Sequence, residues 1–90
     1  MINKKKFYET IKLEDELHVN YPNLEEEVWQ PRLDALGEDE DEIIEFMDNA
    51  DKEVLEAFWP VYDDLMDKFP SEKMDKAIDR YLENYKKAYN

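Results

Sequence analysis

The scarcity of residues that make tight turns is the strongest constraint on this sequence. Its 90 residues include one glycine and four prolines, so β-hairpins would lack the residues that their turns usually require. The chain is rich in Glu, Lys, Leu and Ala, which favour helices. The few breakers divide it into helix-sized pieces. The sequence predicts helices over 3–19, 23–36, 40–49, 51–69 and 71–89.

The last two predicted helices have the clearest amphipathic pattern. At about 100° per residue, the apolar residues of 51–69 share one face, and they are Val54, Leu55, Phe58, Trp59, Val61, Tyr62, Leu65, Met66 and Phe69. Those of 71–89 also share a face, and they are Met74, Ala77, Ile78, Tyr81, Leu82, Tyr85, Ala88 and Tyr89. The short connection between the two helices predicts an antiparallel hairpin.

The predicted fold is therefore all-α, a small antiparallel helical bundle of four to five short helices. A chain of this length forms one domain at most, so we expect a single helical domain over 1–90. Phe58 and Leu82 lie on the apolar faces of the two C-terminal helices, and we expect both in the core.

Local signals refine the helix boundaries. Asp51 and Ser71 are placed to cap the helices that follow them. Pro60 removes a helical hydrogen bond and clashes with the preceding turn, so a kink or break is expected there. The first predicted helix changes its apolar face near Lys12, which indicates a break or contacts on two sides. The second changes its apolar face near Pro31.

The charge is large, negative and unevenly distributed. The 25 Asp and Glu against 12 Lys and Arg give a net charge of −13. Residues 13–67 hold 20 of the acids and only two basic residues, Arg32 and Lys52, whereas the two ends together are mildly basic. The net negative charge opposes unaided binding to nucleic acid or to anionic lipid, because both carry charge of the same sign. With no Cys, no membrane-length apolar run and no signal-peptide core, we expect a cytoplasmic protein without disulfides.

Two groups of carboxylates form the predicted partner-binding surface. The first, which we call the acidic stripe, lies on the polar side of 51–69 and consists of Glu53, Glu56, Asp63, Asp64 and Asp67. On one straight helix it would span about 21 Å, or one charge per roughly 4 Å, close to the ~3.4 Å between phosphates of one DNA strand. The second group, the acidic run, would extend this field and consists of Glu38, Asp39, Glu40, Asp41 and Glu42.

The charge pattern predicts a non-catalytic protein that inhibits or neutralises a basic protein partner. A nuclease, toxin or DNA-binding protein would be such a partner, and the chain would act as an immunity protein, antitoxin or nucleic-acid mimic. We expect no cofactor, no membrane contact and no direct nucleic-acid contact. One alternative is a helical adaptor or assembly module that binds another protein through apolar aromatics such as Trp29 or Trp59. Another is that the charge only keeps a small protein soluble and monomeric.

Catalytic and metal-binding motifs are scarce, so we expect neither an enzyme nor a metal site. His18 is the only imidazole, which is too few for a di-iron or other multi-histidine site. Gly37 precedes the acidic run, so the run lacks the central glycine of an EF-hand loop. The phosphate-binding, dinucleotide and nucleophile motifs are also missing.

The remaining enzymatic alternative is a magnesium-dependent nucleotide hydrolase. The pairs Glu53-x-x-Glu56 and Glu72-x-x-Asp75 resemble the carboxylate set of all-helical nucleotide pyrophosphohydrolases. This resemblance implies a magnesium ion held between helices. The helical wheel, however, places Glu53 and Glu56 opposite the apolar face, where they would point to solvent.

Overall fold

A computed structural model of the protein describes residues 1–17 and 22–89, and 78% of this part is helical. It contains no strand within those ranges, which confirms the all-α prediction. The elements are α1 (Lys4–Glu16), a π-helical turn (Glu25–Trp29), α2 (Gln30–Leu36), α3 (Glu40–Asp48), α4 (Lys52–Phe58), α5 (Tyr62–Lys68) and α6 (Glu72–Ala88). None of these helices is both long enough and apolar enough to cross a membrane.

The chain divides into two compact units, Met1–Asp39 and Glu40–Asn90. In the N-terminal unit, α1 packs on α2 and on the π-helical turn. In the C-terminal unit, α6 contacts α3, α4 and α5. The single domain over 1–90 stays a prediction.

The π-helical turn accounts for the change of apolar face near Pro31. The backbone N–H of Gln30 donates to the carbonyl oxygen of Glu25, five residues earlier. Pro31 has no N–H, and in a regular α-helix its ring would clash with the carbonyl group four residues earlier. The wider π-helical turn just before Pro31 accommodates the missing N–H and the proline ring. Its extra residue rotates the apolar face of the residues that follow. The break considered near Lys12 is absent, since α1 is continuous and contacts both neighbouring elements.

Arg32 is fully buried in the N-terminal unit. Its Nε donates to Oγ1 of Thr10 at 3.0 Å, and its Nη2 donates to Oε1 of Glu14 at 2.7 Å. The guanidinium carbon also lies 6.0 Å from the centroid of the Phe7 ring. Arg32 of α2 therefore contacts three residues of α1, and its positive charge is paired with Glu14 inside the N-terminal unit.

We expect Glu14→Gln to lower the free energy of unfolding by about 2 to 3 kcal/mol, because the buried guanidinium loses its anionic partner. The carboxylate is 37% exposed, which keeps this value below that of a fully buried pair. Glu9→Gln removes an exposed carboxylate from the same helix, and a change below about 0.5 kcal/mol is expected. Urea denaturation measures both variants, and equal unfolding midpoints would contradict the prediction.

The region predicted as one helix over 51–69 is two helices. α4 ends at Phe58 and α5 begins at Tyr62, with the backbone N–H of Val61 donating to the Phe58 carbonyl oxygen at 3.0 Å. The break expected at Pro60 is thus confirmed. It raises the number of α-helices in the described part of the chain to six, instead of the four to five predicted.

Both predicted caps of the C-terminal unit are formed. Oδ1 of Asp51 accepts a hydrogen bond from the backbone N–H of Val54 at 3.0 Å. Oγ of Ser71 accepts one from the backbone N–H of Met74 at 3.1 Å. Each cap satisfies a backbone donor that the first helical turn leaves unpaired.

The helices of the C-terminal unit are not all antiparallel. Lys73, near the start of α6, pairs with Glu40 and Asp41 at the start of α3. Further along α6, Arg80 Nη2 pairs with the carboxylate of Asp48, the last residue of α3, at 3.1 Å. These pairs show that α3 and α6 run in the same direction.

The α5–α6 pair does have the geometry of the predicted hairpin. Residues 69–71 join the end of α5 to the start of α6. The ring of Tyr62, at the start of α5, lies 5.8 Å from the ring of Tyr81, which is more than two turns into α6. The antiparallel arrangement predicted for the two C-terminal helices is therefore seen for α5 and α6, whereas α3 and α6 run parallel to each other.

Phe58 and Tyr81 lie at the centre of the C-terminal unit. Phe58 is fully buried, and its ring meets the rings of Phe46 and Tyr81 edge-on at 5.9 and 6.1 Å. The Tyr81 hydroxyl donates to the carbonyl oxygen of Leu55 at 2.6 Å, and burial raises the pKa of this hydroxyl. Leu82, which we expected in the core, is only half-buried.

Candidate binding surface

The acidic stripe is divided between two helices. Glu53 and Glu56 lie on α4, whereas Asp63, Asp64 and Asp67 lie on α5, and residues 59–61 interrupt the helix between them. All five side chains are exposed, as predicted. The charge spacing calculated for a straight helix is therefore wrong, although the exposure of the stripe is correct.

The local sequence explains why carboxylates are tolerated on these two short helices. Glu53 lies in the first turn of α4, and Asp63 and Asp64 lie in the first turn of α5. Negative charge near a helix N-terminus interacts favourably with the helix dipole, by about 0.3 to 1 kcal/mol each. This interaction offsets part of the repulsion between neighbouring carboxylates.

Four of the five stripe residues make no ion pair with other described side chains. These four are Glu53, Asp63, Asp64 and Asp67, and their carboxylates also form no hydrogen bond within the described ranges. Glu56 differs, because its carboxylate accepts a hydrogen bond from the hydroxyl group of Tyr89. The negative charge of the stripe is therefore largely uncompensated.

The acidic run, in contrast, takes part in the packing of the C-terminal unit. The Glu40 carboxylate lies 3.4 Å from Nζ of Lys73 and accepts a hydrogen bond from Oγ of Ser71 at 2.7 Å. Asp41 also pairs with Lys73, and this hydrogen bond raises the pKa of the lysine. Glu42 is half-buried in the first turn of α3.

The run also crosses the boundary between the two compact units. Glu38 and Asp39 belong to the N-terminal unit, whereas the other three residues begin α3 in the C-terminal unit. The run therefore is not one structural element, and its extension of the acidic stripe stays a prediction.

Three of the five basic residues of α6 form ion pairs within the C-terminal unit. Arg80 donates to both carboxylate oxygens of Asp48, at 3.2 and 3.1 Å, and these hydrogen bonds raise the pKa of Arg80. Lys76 pairs with Glu72 one turn earlier, at 3.1 Å. Since Lys73 also pairs with α3, three cations of α6 are engaged with acids outside the stripe.

Three aromatic rings at one end of α6 form an exposed stack, which we call the aromatic ladder. The rings of Trp59 and Tyr85 are nearly parallel, with centroids 4.4 Å apart and an interplanar angle of 18°. Tyr85 in turn lies 4.7 Å from Tyr89. Trp59 is 46% exposed and Tyr89 is 43% exposed, an unusual degree of exposure for stacked aromatic side chains.

The burial of the apolar face of α6 decreases towards the end of the helix, where polar side chains of α4, Lys52 and Glu56, contact Tyr89. α6 has 17 residues, whereas α4 and α5 have seven each. The apolar face of α6 is buried from Met74 to Tyr81, but Tyr85 is half-buried and Tyr89 is exposed. Tyr85 and Tyr89 of the ladder therefore lie beyond the buried part of the apolar face of α6.

The sequence pattern assigned the ladder residues to a core face. The available signal was the spacing of Tyr81, Tyr85 and Tyr89, since one tyrosine per turn continues to the end of the long helix. Tyrosine tolerates partial exposure because its ring is apolar and its hydroxyl is polar. Trp59 was predicted both as a core residue and as a partner-binding anchor, and its exposure agrees with the second assignment.

The aromatic ladder already holds one cation from its own chain. Nζ of Lys52, at the start of α4, lies 4.7 Å from the centroid of the Tyr89 ring. This distance is within the roughly 6 Å over which a cation and an aromatic face attract each other. Glu56, one turn further along α4, is bound to the hydroxyl group of the same tyrosine.

The other candidate residues do not assemble into a site. His18 lies outside the described residues. Trp29 is half-buried, and its Nε1 is buried without a hydrogen-bond partner among the described residues. The carboxylates of Glu72 and Asp75 are exposed. No group of three potential metal ligands occurs in ranges 1–17 and 22–89.

No protein-family model, curated protein or solved structure matches this chain. Its function is therefore inferred from the chemistry of the acidic stripe and the aromatic ladder.

Proposed function

We propose that this chain is a non-catalytic acidic binding protein that associates with a basic protein partner and neutralises it. A nuclease, toxin or DNA-binding protein is the kind of partner intended, so the chain would act as an immunity protein, antitoxin or nucleic-acid mimic. The observation that supports the proposal is the contrast between paired and unpaired carboxylates in the C-terminal unit. Glu40, Asp41 and Asp48 of α3 pair with cations of α6, whereas four stripe residues pair with no cation among the described residues.

Uncompensated carboxylates are costly for folding and useful for association. Asp63 and Asp67 are one turn apart on α5, and such like-charge pairs lower helix stability by a few tenths of a kcal/mol. A negative surface, however, steers a basic partner and can raise the association rate from about 10⁵ towards 10⁸ M⁻¹s⁻¹ at low salt. A basic partner would supply the opposite charge that these side chains do not meet among the described residues.

The aromatic ladder offers the second component that tight interfaces use. Trp and Tyr are the residues that most often dominate binding energy, and charged residues usually surround them. Trp59 directly precedes the turn into α5, which carries Asp63, Asp64 and Asp67. An anchor and a charged segment are thus neighbours along the chain.

The exposure of Trp59 also favours one alternative function, that of a helical adaptor or assembly module. Such a protein would bind through the aromatic rings, and its affinity would depend weakly on salt because apolar contacts are not screened. The two functions therefore differ in a property that is easily measured.

The test is affinity capture from an extract of the organism that encodes the chain, at about 50 and about 500 mM salt. A basic protein bound at low salt and released at high salt is the expected result, because the Debye length falls severalfold over this range. A partner retained at high salt would favour the adaptor. Capture of no protein at either salt would contradict both functions and leave the charge as a solubility feature.

A further inference from the structure

We infer that the aromatic ladder binds an arginine side chain of the basic partner, and that Lys52 is the internal cation that this arginine displaces. The inference deepens the proposed function and rests on it for the identity of the partner. Beyond the proposed function, it names the residues that bind the partner, predicts that arginine is preferred over lysine, and identifies Lys52 of α4 as a cation that competes for the same rings.

The geometry of the rings suits a planar cation. Trp59 and Tyr85 lie nearly parallel, and Trp59 remains 46% exposed even though it contacts both Tyr85 and Tyr62. A guanidinium group is flat and weakly hydrated, so it stacks on an exposed aromatic surface more readily than an ammonium group does. Trp is also the aromatic side chain that attracts cations most strongly.

The contact of Lys52 with the Tyr89 ring indicates that the ladder can hold a cation. Lys52 is itself exposed and has a flexible stem, so it can leave the ring at little expense. The hydrogen bond from the Tyr89 hydroxyl to Glu56 orients the ring and places a carboxylate at its edge. The face of a guanidinium group can stack on an aromatic ring, and its N–H groups can donate hydrogen bonds to a carboxylate beside that ring.

Two aromatic pairs outside the ladder, among the described residues, differ from it in geometry. Phe46 and Phe58 meet edge-on, and Phe58 is fully buried. Phe7 and Tyr8 of the N-terminal unit also meet edge-on. Tyr8 is nevertheless 40% exposed, which makes it a suitable control for an exposed aromatic residue outside the ladder.

The first experiment compares two peptide probes, octa-arginine amide and octa-lysine amide, by isothermal titration calorimetry on the full chain. We expect the wild type to bind the arginine peptide about fivefold or more tightly than the lysine peptide. Tyr89→Leu, which removes the ring that Lys52 contacts, is expected to abolish this preference while changing the affinity for the lysine peptide less than about twofold. Tyr8→Leu, the matched control, is expected to keep the preference.

The second experiment tests the internal competitor and does not require a change in the ladder itself. Lys52→Ala and Lys68→Ala each remove one positive charge from an exposed position of the C-terminal unit. Lys52→Ala is expected to raise the affinity for the arginine peptide about threefold more than Lys68→Ala does, because Lys52 lies over the Tyr89 ring of the ladder, whereas Lys68 lies over the Phe69 ring. Equal gains for the two variants would overturn the displacement of Lys52.

The outcomes separate this inference from the proposed function. Equal affinities of the wild type for the two peptides would overturn the arginine site, and salt-sensitive capture of a basic partner would still support the proposed function. A preference for arginine that survives Tyr89→Leu would also overturn the site. Binding of neither peptide would reject the site, and the capture experiment would then decide the proposed function on its own.

Discussion

Replacing Asp63, Asp64 and Asp67 together with Lys is expected to weaken binding to the basic partner by about 3 kcal/mol, roughly a hundredfold in Kd. The three side chains are exposed on α5 and unpaired within the described part of the chain. Their replacement turns three attractive charges into three repulsive ones. Glu56 is left unchanged because its carboxylate is bound to Tyr89, so the aromatic ladder should keep its structure.

The association rate should account for most of this loss at low salt, since long-range steering is strongest when screening is weak. Stopped-flow or biosensor kinetics at several salt concentrations measures it. The matched control is the Lys replacement of Asp75, Asp79 and Glu83, which are exposed on α6 and give the same change in net charge. If the two triple variants lose affinity equally, bulk charge and not the acidic stripe determines binding.

Phe58→Ala is expected to lower the free energy of unfolding by about 3 to 5 kcal/mol. The ring is fully buried and contacts two other aromatic rings edge-on, so its removal leaves a cavity that these neighbours fill only in part. The total free energy of unfolding of a small domain is about 5 to 15 kcal/mol. The variant should therefore approach global unfolding, as seen by far-ultraviolet circular dichroism during urea or thermal denaturation.

Leu82→Ala is the informative comparison for Phe58→Ala. The apolar pattern of α6 alone predicts a loss of about 2 to 5 kcal/mol, the range for a buried leucine. The structure places Leu82 in a half-buried position, so we expect about 1 kcal/mol, in proportion to the smaller area removed from water. A loss for Leu82→Ala as large as that for Phe58→Ala would mean that this half of α6 is more deeply packed than the structure shows.

Helix boundaries in the C-terminal unit were predictable because they depend on residues within one turn of each other. Asp51 and Ser71 bond to backbone groups three residues away. Pro60 acts on its own turn, since its missing N–H and its ring disfavour continuation of α4. The one local feature that the pattern did not reveal was the π-helical turn before Pro31, which showed only as a shift of the apolar face.

The candidate site was only partly predictable, because exposure depends on which residues of other helices lie against a side chain. The polar face of 51–69 correctly predicted exposed carboxylates at all five stripe positions. The same wheel placed Tyr85 and Tyr89 with the core residues of α6. A helical wheel gives the direction of a side chain but not the residues of other helices that lie against it, so the aromatic ladder appeared only in three dimensions.

By itself, the sequence determined an all-helical chain, its net negative charge, its caps and the break at Pro60. Composition and contacts within one turn are sufficient for each of these. Only the tertiary structure decided which charges are neutralised and which aromatics are exposed. Lys73 meets Asp41 and Arg80 meets Asp48 across 32 positions of sequence, and Arg32 is buried by partners on α1. Such pairs depend on how helices distant in sequence pack together, which a local pattern does not specify.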